Sequence, residues 1–235
     1  MVASPPSFAA HMSLVKDMRS SPLSGLINSK MVCYYEDLMN SIERTSASGH
    51  PRGDRILAIG DSITLGVPYV PPDATFPAFL QDMTGKEVIN IGVGGLTLAE
   101  MEMGFDANVE EHDPSLVIIE GGINDIEYGR SSEEVIGDLA SILRKAHQKK
   151  IPIAVCTLLP ASLDAGSDES RVEVNVWIRR LSDKERILVD IDIELRDSIQ
   201  SDQLSYMYDS GDHAHPNLEG MKRIAKSISS AIQAK

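Results

Sequence analysis

The chain has 235 residues and a formal net charge of −13, from 22 Lys and Arg against 35 Asp and Glu. This length allows one domain or two small ones. Such an acidic composition argues against nucleic acids and anionic membrane surfaces as partners, because phosphate-rich surfaces bind clustered cations. No stretch approaches the roughly 18 consecutive apolar residues of a membrane-spanning helix, so no membrane span is expected.

The first 54 residues differ in composition from the rest of the chain. Residues 1–29 are rich in Ser, Pro and Gly, and residues 31–42 are predicted to form one short helix. We therefore expect residues 1–54 to be a partly helical N-terminal extension of a domain formed by residues 55–235. Residues 1–10 lack the basic and apolar stretches of a secretory signal, so a cytoplasmic location is expected, with a secreted mature form as the alternative.

From Arg55 onward, short apolar runs alternate with segments of helical periodicity, which is typical of a parallel sheet with crossover helices. The predicted strands are Ile56–Ile59, Val88–Ile91, Leu116–Glu120, Ile153–Leu158 and Ile187–Val189. The predicted helices are Phe76–Met83, Leu98–Glu111, Ser132–Lys149, Glu169–Ser182 and a last one from Asn217 to about Ile232. These elements predict an α/β fold, a three-layer α/β/α sandwich with a mostly parallel five-stranded sheet.

A serine and a histidine lie at positions where they can act together. The first predicted strand runs directly into Ser62, and ligands of open α/β sheets bind at this edge. A serine hydroxyl is a weak nucleophile until a base accepts its proton. His215 lies just before the last predicted helix, three residues after Asp212. Alone, the tripeptide that contains Ser62 is weak evidence, because such a tripeptide more often forms an ordinary turn.

Four short blocks occur along the chain in this order: Gly60-Asp61-Ser62, Asn90-Ile91-Gly92-Val93-Gly94-Gly95, Gly122-Ile123-Asn124-Asp125 and Asp212-His213-Ala214-His215-Pro216. With these blocks the chain resembles the SGNH, or GDSL-type, hydrolase family over about 180 residues, from Arg55 to the C-terminus. The resemblance implies a flavodoxin-like sandwich in which Ser62 is the nucleophile, His215 the base and Asp212 the acid that orients it. It also implies an oxyanion hole formed by the Ser62 N–H, the Gly95 N–H and the Asn124 side chain.

The chemistry of ester cleavage agrees with these assignments. Attack on a carbonyl builds negative charge on its oxygen, and donors directed at that oxygen lower the barrier. The glycine at position 95 allows close backbone approach and unusual dihedral angles. For Asn124 the alternative is a turn residue that bonds its own backbone. Asp61 is expected to brace the turn that carries Ser62, and Asp125 is left without a role.

His213 is a second candidate base, which we reject because the family spacing selects His215. A metal site at the His-x-His pair is disfavoured, because no further ligands occur at familiar spacing. Catalysis is therefore expected to need neither a metal nor an organic cofactor.

The resemblance implies hydrolysis of esters or thioesters through an acyl-serine intermediate. We predict a serine esterase that takes a small-molecule ester with a small or medium acyl group. Alternatives are an acyltransferase or thioesterase with the same triad, and a catalytically silent binding protein of the same fold. Substrate-binding residues and oligomeric state are not predicted. Four residues near strand ends can line an acyl pocket or belong to the core: Tyr69, Leu96, Tyr128 and Leu159.

Overall fold

The fold was analysed in a computed structural model, which describes residues 53–163, 165–181, 186–197 and 203–234. The predicted N-terminal extension lies outside these ranges except for its last two residues, and its predicted helix at residues 31–42 lies wholly outside them. No helix in the described part of the chain is both long and apolar enough to cross a membrane.

The strands form one parallel sheet in the order β2-β1-β3-β4-β5, which is the flavodoxin-like order. They are β1 (Arg55–Gly60), β2 (Glu87–Asn90), β3 (Leu116–Glu120), β4 (Ile153–Cys156) and β5 (Arg186–Val189). The predicted α/β fold and its five strands are confirmed. Strand β4 ends two residues before the predicted boundary.

The helices in the described ranges are α1 (Ser62–Leu65), α2 (Phe76–Thr84), α3 (Leu98–His112), α4 (Ile123–Glu127), α5 (Ser132–Lys149), α6 (Ala165–Ile178), α7 (Ile191–Leu195) and α8 (Leu218–Gln233). A 3-10 turn covers Pro72–Ala74. All five predicted helices are present, although α6 begins and ends four residues before the predicted bounds. Helices α1, α4 and α7 were not predicted, because four or five residues are too few to show a helical period.

Alternate residues of β1 face the two halves of the core. Ile56 and Ala58 pack with the buried faces of α2, α7 and α8, whereas Leu57 and Ile59 pack with those of α3, α5 and α6. Both faces of the sheet are therefore covered, which explains why its strands read as continuous apolar runs.

Helix starts are marked by side-chain caps. Thr97 and Ser131 form capping boxes with the glutamates three residues later, and these boxes begin α3 and α5. Asn217 begins α8 by accepting bonds from the N–H groups of Glu219 and Gly220. Its amide also donates to the carbonyl oxygens of residues 207 and 209. The segment before α8 is thereby attached to the start of that helix.

A buried ionic cluster attaches α6 to the region that follows β5. Asp192 is fully buried and accepts hydrogen bonds from Arg171 at 2.9 Å, Arg179 at 2.6 Å and Arg196 at 2.6 Å. Burial alone would raise the pKa of the Asp192 carboxyl, but Arg196 and Arg179 bond to it and leave the pKa below its usual value. The carboxylate is thus the common partner of three guanidinium groups.

Replacing Asp192 with asparagine is expected to lower the free energy of unfolding by about 3 kcal/mol, because it leaves buried guanidinium charge without its counter-charge. Urea denaturation of the parent and the variant measures the change. Glu219→Gln is the control, because it removes one partner of an exposed ion pair with Lys222. Equal stabilities for the two variants would contradict this account of the cluster.

Candidate active site

Ser62 is the first residue of α1, and only Asp61 separates it from the end of β1. Asp61 caps the helix, because its Oδ1 accepts the N–H of Ile63 at 2.9 Å. This bond confirms the expected bracing role of Asp61. The turn therefore holds the serine at the carboxyl edge of the sheet.

The glycine that precedes Asp61 is required by close packing. A Cβ atom at Gly60 would lie 2.0 Å from Thr64 Oγ1 and 2.5 Å from the carbonyl oxygen of Glu120. The end of β1, the helix α1 and the end of β3 thus meet where no side chain fits.

His215 connects Ser62 to Asp212. Its Nε2 lies 2.8 Å from Ser62 Oγ, and its Nδ1 lies 2.7 Å from Asp212 Oδ2. Because a carboxylate only accepts hydrogen bonds, Nδ1 carries the proton, and Nε2 is free to accept the proton of the serine hydroxyl. The structure thus brings together the three residues of the predicted triad in the Ser-His-Asp arrangement.

The charge of Asp212 is stabilised within its own loop. Burial would raise the pKa of this carboxyl, but the N–H groups of His215 and Ala214 and the His215 ring bond to it and lower the pKa to about 2. Asp212 is therefore ionised at neutral pH and fixes the protonated nitrogen of His215.

His213, the rejected base, has a different partner. Its side chain is 73% exposed, and its Nδ1 lies 2.8 Å from Asp209 Oδ2. Each histidine of the His-x-His pair therefore binds its own carboxylate, and only His215 contacts Ser62.

The loop after β2 lies against the helix that carries the serine. The N–H of Val93 donates to the carbonyl of Gly60 at 3.0 Å, and a Cβ atom at Gly92 would lie 2.3 Å from the nitrogen of Leu65. Gly95 has a φ of +79°, in the region that favours glycine. These contacts attach the segment that leads to Gly95 to the end of β1 and to α1.

Asn124 lies in α4 and links the two groups that flank the predicted oxyanion hole. Its Nδ2 donates to the carbonyl of Leu96 at 3.1 Å and to Asp61 Oδ2 at 3.3 Å. The N–H groups of Ser62 and Gly95 have no acceptor among the residues that the structure describes. Asn124 therefore connects the residue before Ser62 with the residue after Gly95, which are next in sequence to the two predicted backbone donors.

Asp125, for which the sequence suggested no role, is fully buried and connects α4 to α3. Its carboxylate accepts the N–H of Leu98 at 2.8 Å and pairs with Arg130. Burial raises the pKa of Asp125 despite these partners. The connection holds the start of α3, and with it the preceding loop that contains Gly95.

Next to Ser62, Asp61 forms a pair of buried carboxyl groups with Glu120, a residue to which sequence reasoning gave no role. Glu120 is the last residue of β3, and its Oε2 accepts the Thr64 hydroxyl at 2.8 Å. Burial raises the pKa of Asp61 to about 7, and burial together with the nearby Asp61 charge raises that of Glu120 well above its usual value. The pair therefore retains a proton at neutral pH. A glutamate at the end of an apolar strand was the available signal.

The four candidate pocket residues lie in different environments. Leu159 is fully buried and packs in the core, which is one of the two environments that the sequence left open for it. Leu96 packs partly against the core, whereas Tyr128 is 65% exposed and its hydroxyl lies above Gly95. Tyr69 stacks on the His215 ring.

Fold and site together define a three-layer α/β protein with a Ser-His-Asp triad at the carboxyl edge of a parallel sheet. Residues 58–223 match the GDSL-like Lipase/Acylhydrolase family, and the chain belongs to this family. No curated protein sequence matches the chain significantly.

Solved structures share the fold. A protein of the lipolytic G-D-S-L family from Desulfitobacterium hafniense is 24% identical with a TM-score of 0.68, covering 76% of this chain and 99% of its own. The psychrotrophic esterase EstA from Pseudoalteromonas is 16% identical with a TM-score of 0.61, and the match covers 77% of this chain and 97% of EstA. AlinE4, an SGNH-hydrolase family esterase, is 25% identical with a TM-score of 0.57, and the match covers 79% of this chain and 98% of AlinE4.

The pH dependence of stability tests the buried carboxyl pair. Because the folded state raises the pKa of Asp61 to about 7, the protein is expected to lose stability as the pH rises from the unfolded value, about 4, through about 7. Glu120→Gln should weaken this loss, since the amide donates to Asp61 without needing a proton and still accepts from Thr64. Urea denaturation across this pH range measures the effect.

The control is Glu87→Gln, at another buried glutamate, whose partner is Arg55 at 2.7 Å. This variant is expected to lose stability without flattening the pH dependence. If Glu120→Gln kept the parent's full loss of stability with rising pH, the proton of the pair would not be its cause.

Proposed function

We propose that the protein is a serine esterase that hydrolyses small or medium acyl esters through an acyl-serine intermediate. The observation that carries this proposal is the unbroken hydrogen-bond chain from Ser62 through His215 to Asp212. The esterase function of EstA and AlinE4, which share the fold, supports it.

In the first half of the reaction, His215 Nε2 accepts the proton of Ser62 Oγ while Oγ bonds to the carbonyl carbon of the ester. Asp212 stabilises the imidazolium that forms. The same proton then passes from Nε2 to the leaving alcohol as the ester C–O bond breaks, which leaves the acyl group on Ser62. In the second half a water molecule takes the place of the alcohol, and its attack releases the acid and restores the serine.

Negative charge on the tetrahedral oxygen is stabilised by the N–H groups of Ser62 and Gly95 and by the Asn124 amide. One such donor typically contributes about 3 to 4 kcal/mol to the transition state. The two backbone donors have no acceptor among the described residues, so they can bond the oxygen without breaking an existing hydrogen bond.

The charges around the triad favour a neutral ester. The Asp212 carboxylate lies beside the histidine, and carboxylates of Asp125 and Glu127 lie near Asp61. The net charge of the chain is −13. An ester with an anionic group near its scissile bond would be repelled.

Ser62→Ala is expected to lower kcat on p-nitrophenyl acetate, butyrate or octanoate at least about 1000-fold, because it removes the atom that forms the acyl-enzyme. Release of p-nitrophenol measures activity, and labelling by a fluorophosphonate measures the reactivity of the serine. Ser230→Ala, at an exposed serine of α8, is the matched control. Parent-like turnover in Ser62→Ala would refute the assignment of the nucleophile.

Asn124→Ala is expected to lower kcat about 100- to 1000-fold with little change in KM, because the amide bonds an oxygen that is charged only in the transition state. Steady-state kinetics on p-nitrophenyl butyrate separate the two constants, and thermal melting checks that the variant is folded. A rise in KM at unchanged kcat would instead make Asn124 a ground-state binding residue.

A further inference from the structure

The ring of Tyr69 covers one face of the His215 imidazole. The ring centroids are 3.8 Å apart and the planes differ by 10°, which is a parallel stack. Both nitrogens of the imidazole form their bonds in the ring plane, to Ser62 and to Asp212. The contact with Tyr69 therefore competes with neither bond.

Tyr69 is held by the same short helix that carries the nucleophile. Its N–H and that of Val70 both donate to the carbonyl of Gly66 at 3.0 Å, and the N–H of Gly66 donates to the carbonyl of Ser62 at 2.8 Å. Val67 and Val70, on either side of Tyr69, are buried. The position of the Tyr69 ring is thereby set relative to Ser62.

His215 is supported from a different part of the chain. The N–H of Ser210 donates to its carbonyl at 2.9 Å, and Asp209 pairs with Pro216 in an isolated bridge. Ser62 lies 153 residues away in sequence. The ring of His215 meets the nucleophile segment through the bond to Ser62 Oγ and through the stack on Tyr69.

These two contacts behave differently during turnover. The bond from Nε2 to Ser62 must break each time the serine oxygen is acylated, because Nε2 then serves the leaving alcohol and afterwards the water. The stack involves no reacting atom and can persist through every step. The negative face of a tyrosine ring also favours the positive charge that the imidazole carries in the intermediates.

We propose that Tyr69 is a positioning residue, whose ring holds the plane of the His215 imidazole while Nε2 changes its partner. This inference rests on the proposed function, since it assumes that His215 is the base. The stacked ring is the group that acts, and the hydroxyl is dispensable.

The hydroxyl of Tyr69 is the competing explanation, because it lies near Asp212. Burial and then the Asp212 charge raise the pKa of the hydroxyl above its usual value, so it stays neutral. A phenylalanine keeps the ring and removes the hydroxyl, which makes Tyr69→Phe the variant that separates the two.

The experiment compares Tyr69→Phe and Tyr69→Leu, with Tyr206→Leu as the control at a tyrosine that is 82% exposed. For each, kcat and KM are measured on p-nitrophenyl acetate and octanoate, together with the rate of fluorophosphonate labelling. We expect Tyr69→Leu to lower kcat and the labelling rate about tenfold, equally for both esters, with KM within about twofold. Tyr69→Phe should keep kcat within about twofold, and Tyr206→Leu should match the parent.

Three results would overturn the proposal: a Tyr69→Leu variant with parent kcat, an effect on KM alone that grows with acyl length, or a Tyr69→Phe variant as slow as Tyr69→Leu. If thermal melting shows that Tyr69→Leu is unfolded, Tyr69→Met, with an unbranched side chain, takes its place under the same criteria. Full activity in Ser62→Ala would refute the proposed function itself. Loss of activity in Ser62→Ala with parent kcat in Tyr69→Leu would refute the role of Tyr69 alone.

Discussion

A hydrogen bond of 2.8 Å between Ser62 Oγ and His215 Nε2 joins segments that are 153 residues apart, and the other features of the site serve to keep this bond in place. One partner is held by the parallel sheet, because β1 and β3 end side by side and α1 turns sharply out of β1. The other partner is held by the start of α8, where Asn217 bonds back to the segment that contains Asp212. Strand β1 lies inside the sheet, between β2 and β3, so the turn that carries Ser62 has a strand end on either side.

Carboxyl groups at this edge of the sheet perform different tasks because their surroundings differ. Asp212 is partly exposed and accepts several N–H bonds, which keep it ionised and able to orient the His215 ring. Asp61 and Glu120 are fully buried beside each other, where two negative charges cannot coexist at low cost. A shared proton leaves the pair with a single negative charge, and in this form it can brace the turn that carries Ser62. Burial and the number of hydrogen-bond donors thus decide that Asp212 stays ionised beside His215, whereas Asp61 and Glu120 share a proton and support the structure.

Sequence reasoning succeeded where a residue's position follows from the local pattern, and failed where it depends on distant packing. The strands, the long helices and the placement of Ser62 at the sheet edge could be predicted, because apolar runs and their spacing determine them. The roles of Glu120 and Asp125 were not predicted, because the task of a buried carboxyl depends on the groups around it, and the one sequence signal was a glutamate at the end of an apolar strand. The stack of Tyr69 on His215 also escaped prediction, since it joins a loop after α1 to a loop before α8. For Leu159 the sequence left two environments open, because a strand-end leucine can face the core or the site, and the structure places it in the core.

The hydrogen bonds of Asn124 make the proposed oxyanion hole and the buried carboxyl pair parts of one network. Its amide bonds Asp61, which directly precedes Ser62, and the carbonyl of Leu96, which directly follows Gly95. Removing the amide is therefore expected to remove a proposed donor to the substrate and also to free two acceptors inside the protein, so that catalysis and stability change together. Tyr69 contacts the base only through the face of its ring, so the two effects can be separated there. Positioning through the hydrogen bonds of Asn124 is therefore coupled to the stability of the fold, whereas the stack of Tyr69 on His215 needs no hydrogen bond between the two rings.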